Sequence, residues 1–306
     1  MKCSICGGPA VVNMHHHRLR LCTEHFLEWF PKQTQRIIEK YLMFGPEDRV
    51  LVAVSGGKDS LALWDVLLRL GYRADGMYIN LGIGGEAYSN ESQERVRAFA
   101  AQREGTQYRV VNVADEYGMS VPDIARARRR SSKMCSLCGL IKRHIMNRTA
   151  YEGGYDAIAT GHNLDDEAAT LLQNVLHWET GYLERQSPVL PATHPKLARK
   201  VKPLCRMYER DSAAYAIIRG IDYIQEECPY SVDAASIHYK HLLNALEKRS
   251  PGSKSQFYLQ FLKAKEQKTM VFPRDERPAL SECTRCGQPT AAGELCAFCR
   301  LWNGAD

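Results

Sequence analysis

The stretch "LVAVSGGKDSLAL", Leu51 to Leu63, runs from an apolar segment through a polar, glycine-bearing turn and back into apolar residues. The first segment reads as a buried strand and the last as the start of an amphipathic helix. A strand that ends in Ser55-Gly56-Gly57-Lys58-Asp59-Ser60 and continues as a helix offers backbone N–H groups and the positive end of a helix dipole to an anion. The loop is therefore a phosphate cradle. It is not a Walker A loop, because G-x-x-x-x-G-K-[ST] fails here. Nor does "LGIGGEAY", Leu81 to Tyr88, satisfy G-x-G-x-x-G.

Outward from this loop the body of the chain alternates. Apolar runs at Arg49 to Val54, Ala74 to Ile79, Tyr108 to Val113 and Tyr155 to Thr160 are separated by helical stretches. That alternation predicts βαβ units and a parallel sheet, an α/β fold. Ligands of such sheets bind beyond the carboxyl ends of the strands. Two polar loops fall there: the one above, and Gly161-His162-Asn163-Leu164-Asp165-Asp166-Glu167. Adjacent acids suit magnesium and ATP chemistry, although Asp is also a favoured helix N-terminal residue. From His238 to Lys268 the chain reads as helical, with a break at Ser250 to Ser253.

The chain has 306 residues, 44% hydrophobic and 25% charged, with a net charge of +6. That length allows one large domain with small appendages. No apolar h-region opens the sequence and no run approaches the roughly 18 apolar residues of a membrane span, so a cytoplasmic protein is expected. In a reducing compartment the eleven cysteines point to metal ligation or catalysis rather than disulfides. Arg126, Arg128, Arg129, Arg130 and Lys133 crowd into one short run, which suits a polyanionic partner or a solvated helix face.

The cysteines fall into three stations. Cys3-x-x-Cys6 with Cys22-x-x-His25, and Cys283-x-x-Cys286 with Cys296-x-x-Cys299, have the paired spacing of structural zinc sites. Each end is too short to bury a core, so metal would supply its folding energy. His15, His16 and His17 offer alternative ligands at the head and are read as exposed loop residues. The chain divides accordingly into a zinc finger at 1–31, a catalytic body at 32–274 and a zinc ribbon at 275–306. In the body, Cys135-x-x-Cys138 is ambiguous by itself: a redox dithiol, half a zinc site or part of a cluster site. Cys228 lies far downstream, and Cys205 is read as a buried apolar residue.

The Ser55 to Ser60 motif resembles the S-G-G-x-D-S signature of the PP-loop ATP pyrophosphatases, whose Rossmann-like domain grips ATP while a substrate is adenylated. Together with "MCSLCGLIKR", "GHNLDDEA", a distant Cys-Pro and a metal motif at each end, the whole chain resembles the TtuA group of tRNA uridine 2-thiolation enzymes. The resemblance implies that Cys135, Cys138 and Cys228 hold a 4Fe-4S cluster with one iron lacking a protein ligand, available to carry sulfur. It implies that Ala53, Ser55, Gly56, Gly57, Lys58, Asp59, Ser60, Ile79, Lys142 and Gly161 bind ATP. Lys58, Asp59, Lys142 and Asp166 would be the catalytic residues, with Mg2+ and two structural Zn2+ as further cofactors. The implied reaction adenylates the C2 oxygen of a tRNA uridine, in the T-loop or at the wobble position, and replaces it with sulfur. The sulfur would come from a ubiquitin-like thiocarboxylated donor protein, and a homodimer is common in such enzymes. Two other functions remain open on the residues: a PP-loop amidotransferase or synthetase, and an RNA-binding zinc module with an inactive nucleotide loop.

Overall fold

The structure, a computed structural model, describes residues 1–84, 88–103, 105–129, 134–231, 235–272 and 279–302. At the head, β1 (Val12–Met14) and β2 (Leu19–Leu21) form a small antiparallel pair ahead of α1 (Thr23–Lys40). The body follows as β3 (Arg49–Ala53), α2 (Lys58–Arg69), β4 (Arg73–Asn80), α3 (Tyr88–Ala101), β5 (Tyr108–Asn112), α4 (Val113–Tyr117), α5 (Val121–Ala127), α6 (Met134–Glu152), β6 (Ala157–Thr160) and α7 (Leu164–Leu176). Then come α8 (Thr180–Arg185), β7 (Val189–Leu190), β8 (Arg199–Val201), α9 (Glu209–Ile218), α10 (Ala235–Arg249) and α11 (Ser253–Glu266). The ribbon comprises β9 (Ser281–Glu282), β10 (Pro289–Thr290) and α12 (Cys299–Trp302).

The central sheet has the order β5-β4-β3-β6-β8-β7, parallel except for β7 at one edge. All four expected strands are in it. Their apolar runs lack strict alternation because both faces are covered. Val50 and Val52 of β3 enter one core, shared with α1, α2 and α9, whereas Leu51 enters the other, shared with α5, α6 and the ribbon. Trp64 fills the first core without exposure, its indole N–H donating to the Ala74 carbonyl at 3.0 Å. After β5 the chain returns to the far side of β3 to form β6. The reversal opens a crevice at the carboxyl ends of β3 and β6, where both polar loops lie.

α1 passes through residue 31 unbroken, so the boundary drawn there falls inside a helix, and Phe26 and Phe30 bury in the body's first core. A helical proline frees the carbonyl four residues before it. Here Leu27 O is taken by Arg69 Nη1 at 3.2 Å, which lets the helix continue from head to body. Among the described residues, no helix is long and apolar enough to cross a membrane.

Candidate active site and metal centres

The loop after β3 is held by its own serines. Ser60 Oγ accepts from Ser55 N at 3.0 Å and donates to Gly57 O at 3.0 Å. Gly56 adopts φ +79°, and a Cβ there would lie 2.7 Å from the Ser92 carbonyl oxygen. Its carbonyl accepts from Ile224 N at 2.9 Å, which ties the segment leading to Cys228 onto the loop. On the other side, Gly161 approaches so closely that a Cβ would sit 2.9 Å from Ser60 N. The two loops converge as their positions beyond neighbouring strands require, and Asn163 Nδ2 donates to Asp59 Oδ1 at 3.1 Å.

A cavity of about 370 Å³ opens where they meet, lined by Ala53, Ser55, Asp59, Ser60, Ile79, Lys142, Gly161 and Cys228. Eight residues singled out in the sequence thus share one wall. Lys58 turns away from it. Its Nζ lies 3.0 Å from Asp59 Oδ2 and 2.8 Å from Glu209 Oε1, at the edge of a second cavity of about 650 Å³. Gly56 and Gly57 supply backbone rather than wall, and α2 begins at Lys58 with Gly57 as its N-cap.

Asp166 sits in the first turn of α7. It forms a capping box with Asn163, its Oδ2 accepting from Asn163 N at 3.0 Å, while Oδ1 pairs with Lys240 Nζ at 2.7 Å. Lys240 also reaches Glu209 Oε2 at 3.1 Å. The result is a chain of alternating charges, Asp59–Lys58–Glu209–Lys240–Asp166. Burial alone would raise Glu209, but Lys240 and Lys58 overcome it and hold the carboxyl down at about 2. Asp59 is raised, first by burial and then by the charges of Asp166 and Glu209, with Lys58 opposing. An arrangement in which facing carboxylates raise one another suits a hard cation, and Asp59 with Asp166 could hold Mg2+.

Glu209 and Lys240 were not singled out in the sequence. Each is an unremarkable charge at a helix N-terminus or on a helix face, and only the packing of α9 against α2 and of α10 against α7 brings them to the loop. Asp165, beside Asp166, is buried against Lys254 and accepts from Glu209 N at 2.9 Å, which fixes the start of α9.

α6 carries Cys135, Cys138 and Lys142, the last one turn beyond Cys138. The Cys135 thiol donates to the Tyr230 carbonyl at 3.4 Å, two residues past Cys228. Cys138 is pushed up to about 11, first by burial and then by Cys228 and Cys135, with Lys142 opposing. Cys138 and Cys228 share an apolar shell with Leu137, Met134 and Tyr88, while Cys135 is exposed and joined to the Cys228 segment by its bond to Tyr230. Among the described residues the three thiols are not gathered within 4.8 Å as the terminal sets are. Three thiols more widely spaced than the ligands of a single ion, two of them in an apolar shell, fit an iron–sulfur cluster. Cys205 is fully buried in the first core and far from them, its thiol raised by burial.

The terminal sets are tighter. In the head, Cys6 and Cys22 sulfurs lie 3.9 Å apart, and His25 Nδ1 is 3.1 Å and 3.6 Å from Cys22 and Cys3. In the ribbon, Cys286 and Cys296 sulfurs are 3.8 Å apart. A tetrahedron with zinc–sulfur bonds of about 2.3 Å has edges of about 3.8 Å, so both sets fit that ion. Backbone donation from Cys6 lowers Cys3 to about 6, favouring the thiolate. His16 departs from the expectation of an exposed loop residue: its side chain is 4% exposed and its Nε2 lies 3.0 Å from Asp211 Oδ2. Arg128 is likewise no free phosphate ligand, since it donates to the Leu301 carbonyl at 3.0 Å and 2.8 Å. Arg126 pairs with Asp123, and Arg130 and Lys133 lie outside the described residues.

A parallel sheet with a glycine-rich loop and an acidic loop at its switch point defines a nucleotide-binding α/β protein with a cysteine set against its nucleotide pocket. Residues 29–234 match the PP-loop domain model and residues 2–27 match the N-terminal LIM domain of 2-thiouridine synthetase TtuA. The chain is 50% identical to the tRNA-5-methyluridine(54) 2-sulfurtransferase of Thermus thermophilus, over 99% of this chain and 91% of that one. It is 45% identical to the protein of the same name from Thermotoga maritima, over 98% and 96%. The solved structure of the U34-tRNA thiolase NcsA from Methanococcus maripaludis, with its [4Fe-4S] cluster, superimposes with a TM-score of 0.80 at 26% identity, over 98% of this chain and 95% of that one. The chain belongs to the TtuA family of PP-loop proteins.

Proposed function

We propose that the protein is an ATP-dependent tRNA 2-sulfurtransferase acting on the uridine at position 54. The observation that carries this reading is that Cys228 and Lys142 line the same cavity as Ser55, Asp59 and Gly161. A synthetase that only adenylates would have no use for thiols on that wall. The choice of position 54 is supported by the relatives, since those at 50% and 45% identity are named for that nucleotide.

ATP enters the cavity with its phosphates on the Ser55–Ser60 loop, where the start of α2 favours negative charge. The C2 oxygen of the uridine attacks the α-phosphorus and pyrophosphate leaves. Lys58 swings from its pairing with Asp59 and Glu209 to meet the charge developing on the phosphates. Asp59 and Asp166 would hold Mg2+, and Lys240 orients Asp166. Lys142, between nucleotide and thiols, orients the adenylate toward the sulfur side. A sulfur nucleophile then attacks C2, and AMP departs with the original oxygen. Cys135, Cys138 and Cys228 hold a 4Fe-4S cluster, which supplies an iron without a protein ligand where sulfur can be delivered. The sulfur originates from a ubiquitin-like thiocarboxylated protein, the terminal sets hold two structural zinc ions, and Arg126 and Arg129 flank the path of the RNA backbone. The working unit is a homodimer.

Anaerobically reconstituted protein given ATP, sulfide and unmodified tRNA should form AMP, pyrophosphate and a 2-thiolated base at position 54, located by nuclease digestion and mass spectrometry. Full-rate thiolation by iron-free, air-exposed protein would overturn the cluster and favour a Cys135–Cys138 dithiol. Thiolation at another nucleotide would overturn the assignment of position 54.

A further inference from the structure

The turn His15–His17 of the head packs against the start of α9. Within it, the side chain of His16 is nearly sealed off, its ring against Tyr208 at a centroid distance of 3.7 Å with the planes tilted by 31°. Its Nε2 lies 3.0 Å from Asp211 Oδ2, and ligand atoms of His16, His17 and Asp211 all fall within 4.8 Å of one another. Asp211 is 1% exposed, and its second oxygen, Oδ1, is buried without a hydrogen-bond partner.

Leaving a buried carboxylate oxygen without a partner is costly, and in native proteins such an atom usually faces a water or an ion. Two imidazoles stand beside this carboxylate. We infer that His16, His17 and Asp211 form a third metal site, for a divalent transition ion, distinct from both thiol sets and from the cluster. Two histidines and a carboxylate are the donor set of zinc and its neighbours in the first transition row. Bonds of about 2.0–2.1 Å in a tetrahedron give ligand edges of about 3.3 Å, close to the observed His16–Asp211 separation. His17 is exposed and closes the remaining distance by rotation of its side chain.

Three protein ligands leave a coordination position free. His15, His16, Tyr208 and Arg210 line the cavity of about 650 Å³ that also receives Lys58, so the free position takes water or an oxygen ligand from that side. The ion also joins two parts of the molecule. His16 and His17 belong to the head, Asp211 to the helix whose first residue, Glu209, holds Lys58. Metal at this point fastens the head beside the nucleotide loop.

The alternative is a plain His16–Asp211 ion pair, in which His17 has no part. Co2+ distinguishes the two, because a site of nitrogen and oxygen donors gives weak ligand-field bands without the intense thiolate-to-cobalt charge transfer of the cysteine sets. Cluster-loaded, zinc-replete protein titrated with Co2+ under anaerobic conditions should bind one equivalent with that difference spectrum. Asp211→Asn and His17→Ala should each weaken its binding at least tenfold, as read by calorimetry. His17 is exposed, so its removal spares the fold. If the wild type takes up no Co2+, shows only thiolate charge transfer, or binds it as tightly after His17→Ala as before, the inference is wrong. None of these readings depends on thiolation, so this site and the proposed reaction fail separately.

Discussion

Gly161 shows how a single side chain would decide whether the site exists. A methyl group there meets backbone, Ser60 N at 2.9 Å, so the two loops must part. Overpacking against backbone costs typically 1–3 kcal/mol. Gly161→Ala should weaken ATP binding about tenfold to a hundredfold by calorimetry, with the thiol set and the fold intact. Lys58→Ala should slow AMP formation by about a hundredfold or more, as loss of a group that stabilises transition-state charge does. Near-normal AMP release would remove Lys58 from the chemistry. Glu209 supplies a pH test. Its carboxyl is held at about 2 in the folded protein against an ordinary value of 4.5. A depressed carboxyl contributes stability that is complete above 4.5 and lost as pH falls through about 2. Glu209→Gln should flatten the fall in melting temperature between those limits, followed by circular dichroism.

α6 carries two of the body thiols and packs against the C-terminal ribbon. It presents Lys142 to the nucleotide cavity and carries Cys135 and Cys138 in the turns before it, while Leu137, Ile141 and Ile145 pack in the second core with Phe298 and Leu301 of the ribbon. Phe298 stacks on His144 with centroids 3.7 Å apart and planes 8° from parallel. Burial lowers His144 to about 4, so a neutral imidazole lies beneath the ring. The C-terminal ribbon therefore braces the helix that carries Cys135 and Cys138, the thiols proposed for the cluster. Phe298→Ala leaves a cavity worth about 3–5 kcal/mol at that contact. The variant should lose its iron–sulfur absorbance faster in air than the wild type while binding ATP with unchanged affinity. Equal cluster lifetimes would show that the ribbon and the thiols are mechanically independent.

Across the whole molecule, nucleotide and thiols meet because the sheet reverses direction at β3. β3 and β6 are neighbours in space although about a hundred residues separate them, and the intervening chain delivers α6 across the mouth of the crevice. Cys228 arrives from beyond α9, anchored by the hydrogen bond from Ile224 to Gly56. Cys228→Ala should remove both the cluster signal in EPR and tRNA thiolation, with ATP affinity retained. Loss of ATP binding in that variant would mean that Cys228 supports the cavity wall rather than the cluster.

The sequence by itself determined the alternation of strands and helices, both loops at strand ends, the terminal metal motifs and the Cys135-x-x-Cys138 pair in the body. Each is local: a period of hydrophobicity, a glycine turn or a C-x-x-C spacing needs only a few neighbouring residues to be read. Tertiary structure alone decided which charges gather beside the glycine-rich loop, because Lys58, Glu209, Lys240 and Asp166 come from four different helices. It also decided that the head continues into the body through α1, since the carbonyl freed by Pro31 finds Arg69 on another helix. The same holds for His16, which a sequence of three histidines leaves looking solvent-exposed. Its burial depends on Tyr208 and Asp211, almost two hundred residues away, and pairings at that separation leave no periodic trace in the chain.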